Sequence, residues 1–245
     1  MITYYSDTKD LKSIHNPLID NAAEMRHSGF FEVVEDNETP HFASSIKKTL
    51  HNQGRIFCDD ASKLFSISTG YVGLIMSFPF NLQNGVIHPA RFSEKEYMLW
   101  GVNMGETDIE SPGIGAFFTK DGIEFRVKTS AGSYSLIDDE TTISKNTSFE
   151  IEFFWDKDEI SYIGNDVTMV IRVDDQDIVG GGVPIIDDLD VNSAFYTAIG
   201  QTAPSGSSVF EDIPFQILDN VYNLNNLQCS VSRIMIENSI PAYFD

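Results

Sequence analysis

The chain has 245 residues, of which 42% are hydrophobic and 12% aromatic, which is enough for one well-filled core of the size that β sandwiches reach as single domains. The 16 Lys and Arg residues against 37 Asp and Glu residues give a net charge of −21, which would repel a nucleic-acid backbone or an anionic membrane surface. The 18 Phe, 9 Tyr and 2 Trp residues argue against intrinsic disorder, because a disordered acidic segment has far less to bury.

The N-terminal residues show no basic region followed by an apolar run, so the sequence predicts no secretory signal peptide. No segment approaches the roughly 20 consecutive apolar residues of a membrane-spanning helix. We therefore expect a cytoplasmic protein or a virion component, without membrane insertion. Cys58 and Cys229 are too far apart in the sequence for a metal-binding motif. We expect two free thiols, and if the first and last strands are neighbours in one sheet, the two could lie close enough to bridge under oxidising conditions.

Residues 1–41 mix charged and apolar positions without a sustained period, which favours an extended arm or N-terminal extension. Entry strands are predicted at Arg55–Cys58 and Lys63–Ile67. From Thr69 onward, Gly, Asn-Gly, Asp-Gly and Pro signals separate short β-branched and aromatic runs, as in a sandwich or barrel. The predicted strands in this part are Tyr71–Phe80, Tyr97–Val102, Gly113–Phe118, Ile123–Lys128, Ser148–Trp155, Thr168–Val173, Ala194–Gly200 and Cys229–Glu237.

Turn signals join several of these strands. Asp121-Gly122 is the strongest hairpin signal, because this dipeptide tolerates the positive φ angles of a tight turn. After it, Ile123, Phe125 and Val127 alternate with polar residues, which places one side of the strand on a core. Short helical turns are predicted at 186–189 and 217–222, and helix content should be low.

The order of these elements resembles the concanavalin A-like lectin and laminin-G-like jelly roll over roughly residues 42–240. The resemblance implies an antiparallel jelly-roll sandwich of two curved sheets over residues 42–245, with the first and last strands adjacent. Asp175 stands where that family has a turn glycine, so the hairpin there is expected to be looser or shifted toward Gly180–Gly182. The segments that carry the resemblance are Phe149–Asp156, Val170–Asp175, Ala198–Gly200 and Ser232–Ile236.

Members of that superfamily mostly bind glycans or protein surfaces on the concave face or at rim loops, often with calcium, and some cleave glycans. Sugars stack on aromatic rings while amides and carboxylates bind their hydroxyl groups, although most aromatic rings of such a chain belong to its core. The residues predicted to bind a ligand are Tyr97, Trp100, Asn103, Tyr134, Trp155 and Tyr162.

Acidic turns are the candidate calcium sites, since hard cations prefer clustered oxygen ligands. The alternative is that these acidic residues keep the surface soluble and protect strand edges. The predicted metal ligands are Asp174, Asp175 and Asp177, and a second acidic cluster is formed by Asp187, Asp188 and Asp190.

Glycosidase chemistry requires two carboxylates across a cleft, about 5–5.5 Å apart for retention of configuration. Glu150 and Glu152 lie two residues apart in a predicted strand, which puts both on the same side of a sheet. The retaining glucanases of the superfamily carry a Glu-x-Asp-x-x-Glu run, and this strand lacks the central Asp and the final Glu. The alternative is a solvated face whose opposite side, with Phe149, Ile151 and Phe153, forms the core.

The sequence therefore predicts a non-catalytic, lectin-like binding or structural module. Its partners would be glycans or protein surfaces, and residues 1–41 would tie it, as a homo-oligomer or in a larger assembly, to a virion or appendage surface. One alternative is a glycoside hydrolase or lyase that uses Glu150 and Glu152. Another is a structural spacer that recognises no ligand.

Overall fold

The computed structural model describes residues 1–7, 14–15, 23–29, 31–35, 44–48, 54–88, 96–104, 112–129, 132–162, 165–174, 177–181, 210, 213–218 and 229–242. Over this part of the chain, no helix is long and apolar enough to cross a membrane. The strands are β1 Ile2–Ser6, β2 Arg26–Ser28, β3 Glu32–Glu35, β4 Ser44–Lys48, β5 Arg55–Cys58, β6 Thr69–Ser77, β7 Asn81–Gln83, β8 Val86–His88, β9 Tyr97–Val102, β10 Gly113–Phe118, β11 Ile123–Thr129, β12 Gly132–Asp138, β13 Ser148–Tyr162, β14 Asn165–Val173, β15 Asp177–Gly181, β16 Phe215–Ile217 and β17 Cys229–Glu237.

Two antiparallel sheets form a sandwich. The larger sheet has the order β15-β14-β13-β6-β17-β4-β3, with β1 also paired to β17. The second sheet has the order β12-β11-β10-β9-β16-β5-β2, and β7 and β8 form a separate hairpin. The predicted all-β antiparallel sandwich is thus confirmed. The last strand, β17, pairs with β1 and with β4, the first strand after residue 42, whereas the predicted entry strand Arg55–Cys58 lies in the second sheet as β5.

The core lies between the sheets and is centred on aromatic rings. Trp155 of the larger sheet stacks on Trp100 of the second sheet, with ring centroids 5.8 Å apart and an interplanar angle of 20°. Phe65 contacts both indoles edge-on. Offset stacks and edge-on contacts suit the charge distribution of aromatic rings, so this cluster holds the sheets together in a specific arrangement.

Several strands begin and end where the sequence predicts. β5, β9, β10 and β17 match their predicted limits. The predicted hairpin also forms, with the Thr119 amide donating to the Gly122 carbonyl at 2.8 Å, although in the Asp-Gly pair only Gly122 adopts a positive φ. Ile123, Phe125 and Val127 are fully buried, as the alternation predicts.

The prediction of an N-terminal arm needs correction. In the described parts of residues 1–41, β1 and β3 belong to the larger sheet and β2 to the second. Tyr4, Ile14 and Met25 are fully buried in the main core. These strands have three to five residues each, and such short segments show no recognisable period in the sequence.

The predicted strand at Lys63–Ile67 is also wrong. A short 3-10 helix covers Ala61–Lys63, and the Asp60 side chain caps it by accepting a hydrogen bond from the Ser62 amide. The apolar run that follows, which includes Leu64 and Phe65, is buried in the core without joining a sheet. Burial in the core, without strand pairing, therefore accounts for the apolar composition of this segment.

The hairpin after Val173 is not shifted toward the triple glycine. Val173 pairs with Asp177 directly across the turn, and Asp174 adopts the positive φ that a turn glycine would have supplied. Gly180 and Gly181 lie within β15 and not in a loop. At 217–222, Ile217 lies in β16 and not in a helical turn. The predicted strand at 194–200 and the predicted turn at 186–189 lie outside the described residues.

Candidate functional site

The strand β13 runs through the middle of the larger sheet, between β14 and β6. Ile151 and Phe153 are fully buried in the main core. Glu150 and Glu152 therefore lie on the opposite side of the sheet, because successive side chains of a strand alternate. We call this side the outer face. It is defined by Tyr71, Glu150, Glu152, Tyr162, Arg172 and Arg233.

Glu152 is held by two partners on neighbouring strands. Arg172 stands directly opposite Glu152 on β14, and its Nη1 lies 3.2 Å from Oε2 of Glu152. On the other side, the Tyr71 hydroxyl donates to Oε1 of Glu152 at 2.7 Å. Glu152 is only 3% exposed, so this part of the outer face is not the solvated surface that the sequence suggested.

The Tyr71 hydroxyl reaches Glu152 because the residue between them has no side chain. Gly73 on β6 pairs with Glu152. A Cβ added to Gly73 would lie 2.3 Å from the Tyr71 hydroxyl oxygen. A glycine inside a strand often marks such a close approach. Gly73 is therefore a structural requirement of this hydrogen bond.

Glu150 is engaged by a second arginine. Ile75 on β6 pairs with Glu150 on one side and with Arg233 on the other. Nη2 of Arg233 contacts Oε1 of Glu150, and the two side chains are 22% and 28% exposed. Unlike the pair at Glu152, this ion pair is accessible to a ligand.

A small aromatic cluster lies next to Glu152 on the outer face. Phe154 and Tyr71 are fully buried in a small second cluster, against which the half-buried Tyr162 and Met235 pack. The Tyr162 ring meets Phe154 edge-on, with centroids 5.3 Å apart. Burial raises the pKa of the Tyr162 phenol; the charge of Arg172 opposes this shift and that of Glu152 adds to it. Tyr162 is therefore the half-buried edge of this aromatic cluster.

The outer face combines groups that suit the recognition of a polyol. Carboxylates accept hydrogen bonds from hydroxyl groups and guanidinium groups donate to them, and such charge-assisted bonds are stronger than neutral ones. Tyr162 adds a half-buried ring that can contact the apolar side of a sugar. Arg172 and Tyr71, on the two neighbouring strands, hold the enclosed Glu152, so the groups that a ligand would meet are Glu150, Arg233 and Tyr162.

Three of the predicted ligand-binding residues need correction, because the structure buries them. Trp100 and Trp155 are 0% exposed and Tyr97 is 3% exposed. Nε1 of Trp155 donates to the Ile67 carbonyl at 3.1 Å, which also fixes this ring inside the core. A ring without accessible surface cannot stack on a sugar in this conformation. These residues belong to the core.

The other three predicted residues do not converge on one site. Asn103 adopts a positive φ, and its side-chain amide donates to the Pro112 carbonyl at 2.9 Å, which is a turn-stabilising contact. Tyr134 is half-buried on β12 in the second sheet, and Tyr162 is half-buried on β13 in the larger one. A role for Asn103 or Tyr134 in ligand binding stays a prediction, and only Tyr162 lies on the outer face.

The predicted calcium turn is described in part. Oδ1 of Asp174 accepts a hydrogen bond from the Glu150 amide at 2.7 Å, so Asp174 ties the turn to β13. Asp175, the side chain of Asp177 and residues 187–190 lie outside what the structure describes. Within the described residues, no three His, Cys, Asp or Glu side chains converge in a way that could hold a metal ion. Calcium binding at this turn stays a prediction.

Sequence reasoning missed Tyr71, Arg172 and Arg233. A signal was present, since Arg172 and Arg233 are the only charged residues within otherwise apolar or small-residue runs of β14 and β17, at Met169–Val173 and Cys229–Ile236. A lone arginine in such a run requires an acidic partner. Which carboxylate it meets depends on strand order and register, and neither follows from local pattern.

No protein-family model matches the sequence, and no curated protein is recognisably similar to it. Solved structures do share its architecture. Domain 4 of AbnA, a GH43 extracellular arabinanase from Geobacillus stearothermophilus, in complex with arabinotriose, matches with a TM-score of 0.58 and 10% identity over 97% of this chain and 92% of that one. The binding domain of Paraclostridial Mosquitocidal Protein 1 matches with a TM-score of 0.57 and 15% identity over 97% of this chain.

The receptor binding domain of botulinum neurotoxin mosaic serotype C/D matches with a TM-score of 0.56 and 9% identity over 99% of this chain. The chain spans about half of each toxin domain, 49% in both. At these identities the similarity shows the fold alone. The chain is thus a β sandwich of the kind found in these binding domains.

Proposed function

We propose that this chain is a non-catalytic, lectin-like module that binds a glycan on the outer face of its larger sheet. The observation that carries the proposal is the set of accessible groups on this face, the Glu150–Arg233 ion pair and the half-buried Tyr162 ring. The enclosed Glu152, held by Arg172 and Tyr71, lies between Glu150 and Tyr162 along β13 and fixes this part of the face. Fixed polar groups beside an aromatic ring are the chemistry that a sugar requires.

Two further observations support a binding role. Domain 4 of AbnA was solved with arabinotriose, and the toxin domains of similar fold are binding domains by their own description. The resemblance of the sequence to concanavalin A-like and laminin-G-like jelly rolls points to the same class. Arabinotriose is therefore the first probe, and cellotriose and maltotriose complete a panel of neutral trisaccharides.

The same contacts weigh against the hydrolase or lyase alternative. A catalytic carboxyl must reach the glycosidic oxygen, whereas Glu152 is enclosed by its partners and 3% exposed. Glu150 is the more accessible of the two, but Arg233 occupies one of its oxygens. Cleavage of any panel sugar by the intact protein, abolished by Glu150→Gln, would favour the hydrolase instead.

The proposal is tested by calorimetric titration of the full chain with the trisaccharide panel. Tyr162→Ala should weaken binding about fivefold to a hundredfold, within the range of about 1–3 kcal/mol for losing an aromatic stacking partner. Phe57→Ala is the matched control, since Phe57 is also a half-buried aromatic residue but lies on β5 in the second sheet. Equal loss in both variants, or no binding of any panel glycan or wider array, would contradict the proposal.

Calcium dependence and assembly belong to the same proposal. Titrations repeated with a chelator would show whether the turn at Asp174 contributes a calcium ion to binding.

Residues 1–41 could attach the chain to a virion or appendage only through surfaces that leave β1, β2 and β3 paired in their sheets. Sedimentation velocity of the full chain tests the homo-oligomer, which predicts a species heavier than 27.4 kDa.

A further inference from the structure

A shallow depression lies beside the hairpin of β7 and β8. Its volume is about 300 Å³, at the small end of the range for ligand sites. The loop at 142–144 closes it on one side. Its lining consists of Asn81, Leu82, Gln83, Asn84, Thr142, Ile143 and Ser144.

Backbone hydrogen bonds hold the two sides of the depression together. Leu82 and Ile143 form an isolated antiparallel bridge, with each amide donating to the other carbonyl at 2.8 Å. The Gly85 amide donates to the Thr141 carbonyl at 2.7 Å, and Oδ1 of Asn81 accepts from the Lys145 amide at 2.9 Å. The depression is therefore a built surface with defined geometry.

The bridge also decides which side chains face the depression. Leu82 and Ile143 are buried in the main core, so their neighbours along each strand point outward. All five polar lining residues are exposed. They are Asn81, Gln83, Asn84, Thr142 and Ser144.

The chemistry of this lining is uncharged. Its three amides and two hydroxyls offer both donors and acceptors, and no charged side chain is among the lining residues. This contrasts with a chain of net charge −21. A charged ligand would find no counter-charge in the lining, whereas uncharged amides and hydroxyls suit the hydroxyl groups of a neutral sugar. Two of the lining oxygens, Oδ1 of Asn81 and Oγ1 of Thr142, already accept hydrogen bonds from the Lys145 and Asn84 amides.

We propose that the depression is a second saccharide subsite, which takes one neutral sugar unit by hydrogen bonds alone. This inference rests on the proposed function and adds a place where the glycan is held. The depression lies beyond the Ser77–Ser148 pair that ends β6 and begins β13. Glu150 of the outer face is two residues from Ser148 along β13, whereas Tyr162 is the last residue of that strand. Loss of the Tyr162 ring should therefore leave the depression itself unchanged.

The test is a nuclear magnetic resonance titration of the 15N-labelled full chain with the trisaccharide panel. Side-chain amide resonances of Asn81, Gln83 and Asn84 should shift with a neutral trisaccharide and remain unshifted with trigalacturonate. Gln83→Ala removes one of the lining amides and should weaken this site about threefold to tenfold, which the Asn81 and Asn84 resonances report. Asn238→Ala is the control, because it removes an amide at an exposed position after β17.

The outcomes separate this inference from the proposed function. Amide shifts that persist in Tyr162→Ala and weaken in Gln83→Ala, but not in Asn238→Ala, support the subsite. Binding that depends on Tyr162 while these amides stay unshifted overturns the subsite and leaves the proposed function standing. Absence of both responses overturns both. Equal weakening by Gln83→Ala and Asn238→Ala would show that the effect does not depend on the lining and would overturn the subsite.

Discussion

Replacement of Arg172 by methionine should destabilise the fold strongly, because it leaves the Glu152 carboxylate buried without its cation. The Glu152 and Arg172 side chains are 4% and 13% exposed, and the contact between them measures 3.2 Å. Breaking such a buried pair costs about 3–5 kcal/mol. For a chain of this size that corresponds to a fall in melting temperature of about 6–20 °C.

Urea unfolding of wild type and Arg172→Met measures this free energy directly, and a second variant isolates its cause. The double variant Glu152→Leu, Arg172→Met removes both charges and should recover at least half of the loss, because an apolar pair needs no compensation. Arg26→Met is the matched control. Arg26 and its partner Asp59 are 48% and 57% exposed, so their pair should contribute less than about 1 kcal/mol.

Two results would refute this reasoning. The first is an Arg172→Met variant within about 1 kcal/mol of wild type, the range expected for exposed ion pairs. The second is a double variant whose loss of unfolding free energy equals the sum of the losses in Glu152→Leu and Arg172→Met, since the effects of two uncoupled substitutions are additive. Either result would mean that water reaches Glu152 and that the outer face is not the fixed array on which the proposed function rests.

Two further predictions concern the turn after β10 and the N-terminal histidines. Gly122→Ala should destabilise by more than about 1–3 kcal/mol, because Gly122 has a φ of +140° and a Cβ there would lie 2.2 Å from the Asp138 carbonyl oxygen. Gly180→Ala is the control, and its free energy of unfolding should fall by less in the same melting experiments. Similar decreases in the two variants would contradict the argument from backbone strain. Burial, and second the charge of nearby His15, lower the pKa of His27 from 6.5. As the pH falls, the unfolded chain therefore binds this proton at a higher pH than the folded chain does, so the free energy of unfolding should decrease below about pH 6.5. His27→Gln should make this decrease smaller in urea unfolding experiments at several pH values. An unchanged pH dependence in the variant would contradict the prediction.

The alternation of apolar and polar residues was sufficient to predict much of the sandwich. Phe149, Ile151 and Phe153 are core residues because period-two spacing puts them on one side of a strand, whatever that strand pairs with. The hairpin at Asp121-Gly122 is equally local. Such features depend only on residues a few positions apart in the sequence, so local pattern is enough to predict them.

Strand order and register could not be read in that way. They place Arg172 and Tyr71 against Glu152, and they also bury Trp100 and Trp155 between the sheets, where neither ring can meet a ligand. Residues 1–41 illustrate the same limit, since their short strands become recognisable only beside their partners. Local pattern tells which side of a strand is apolar, but a partner far along the chain is chosen by the packing of the whole core. For this reason the sequence alone determined the β sandwich, and only the tertiary structure brought the outer face together.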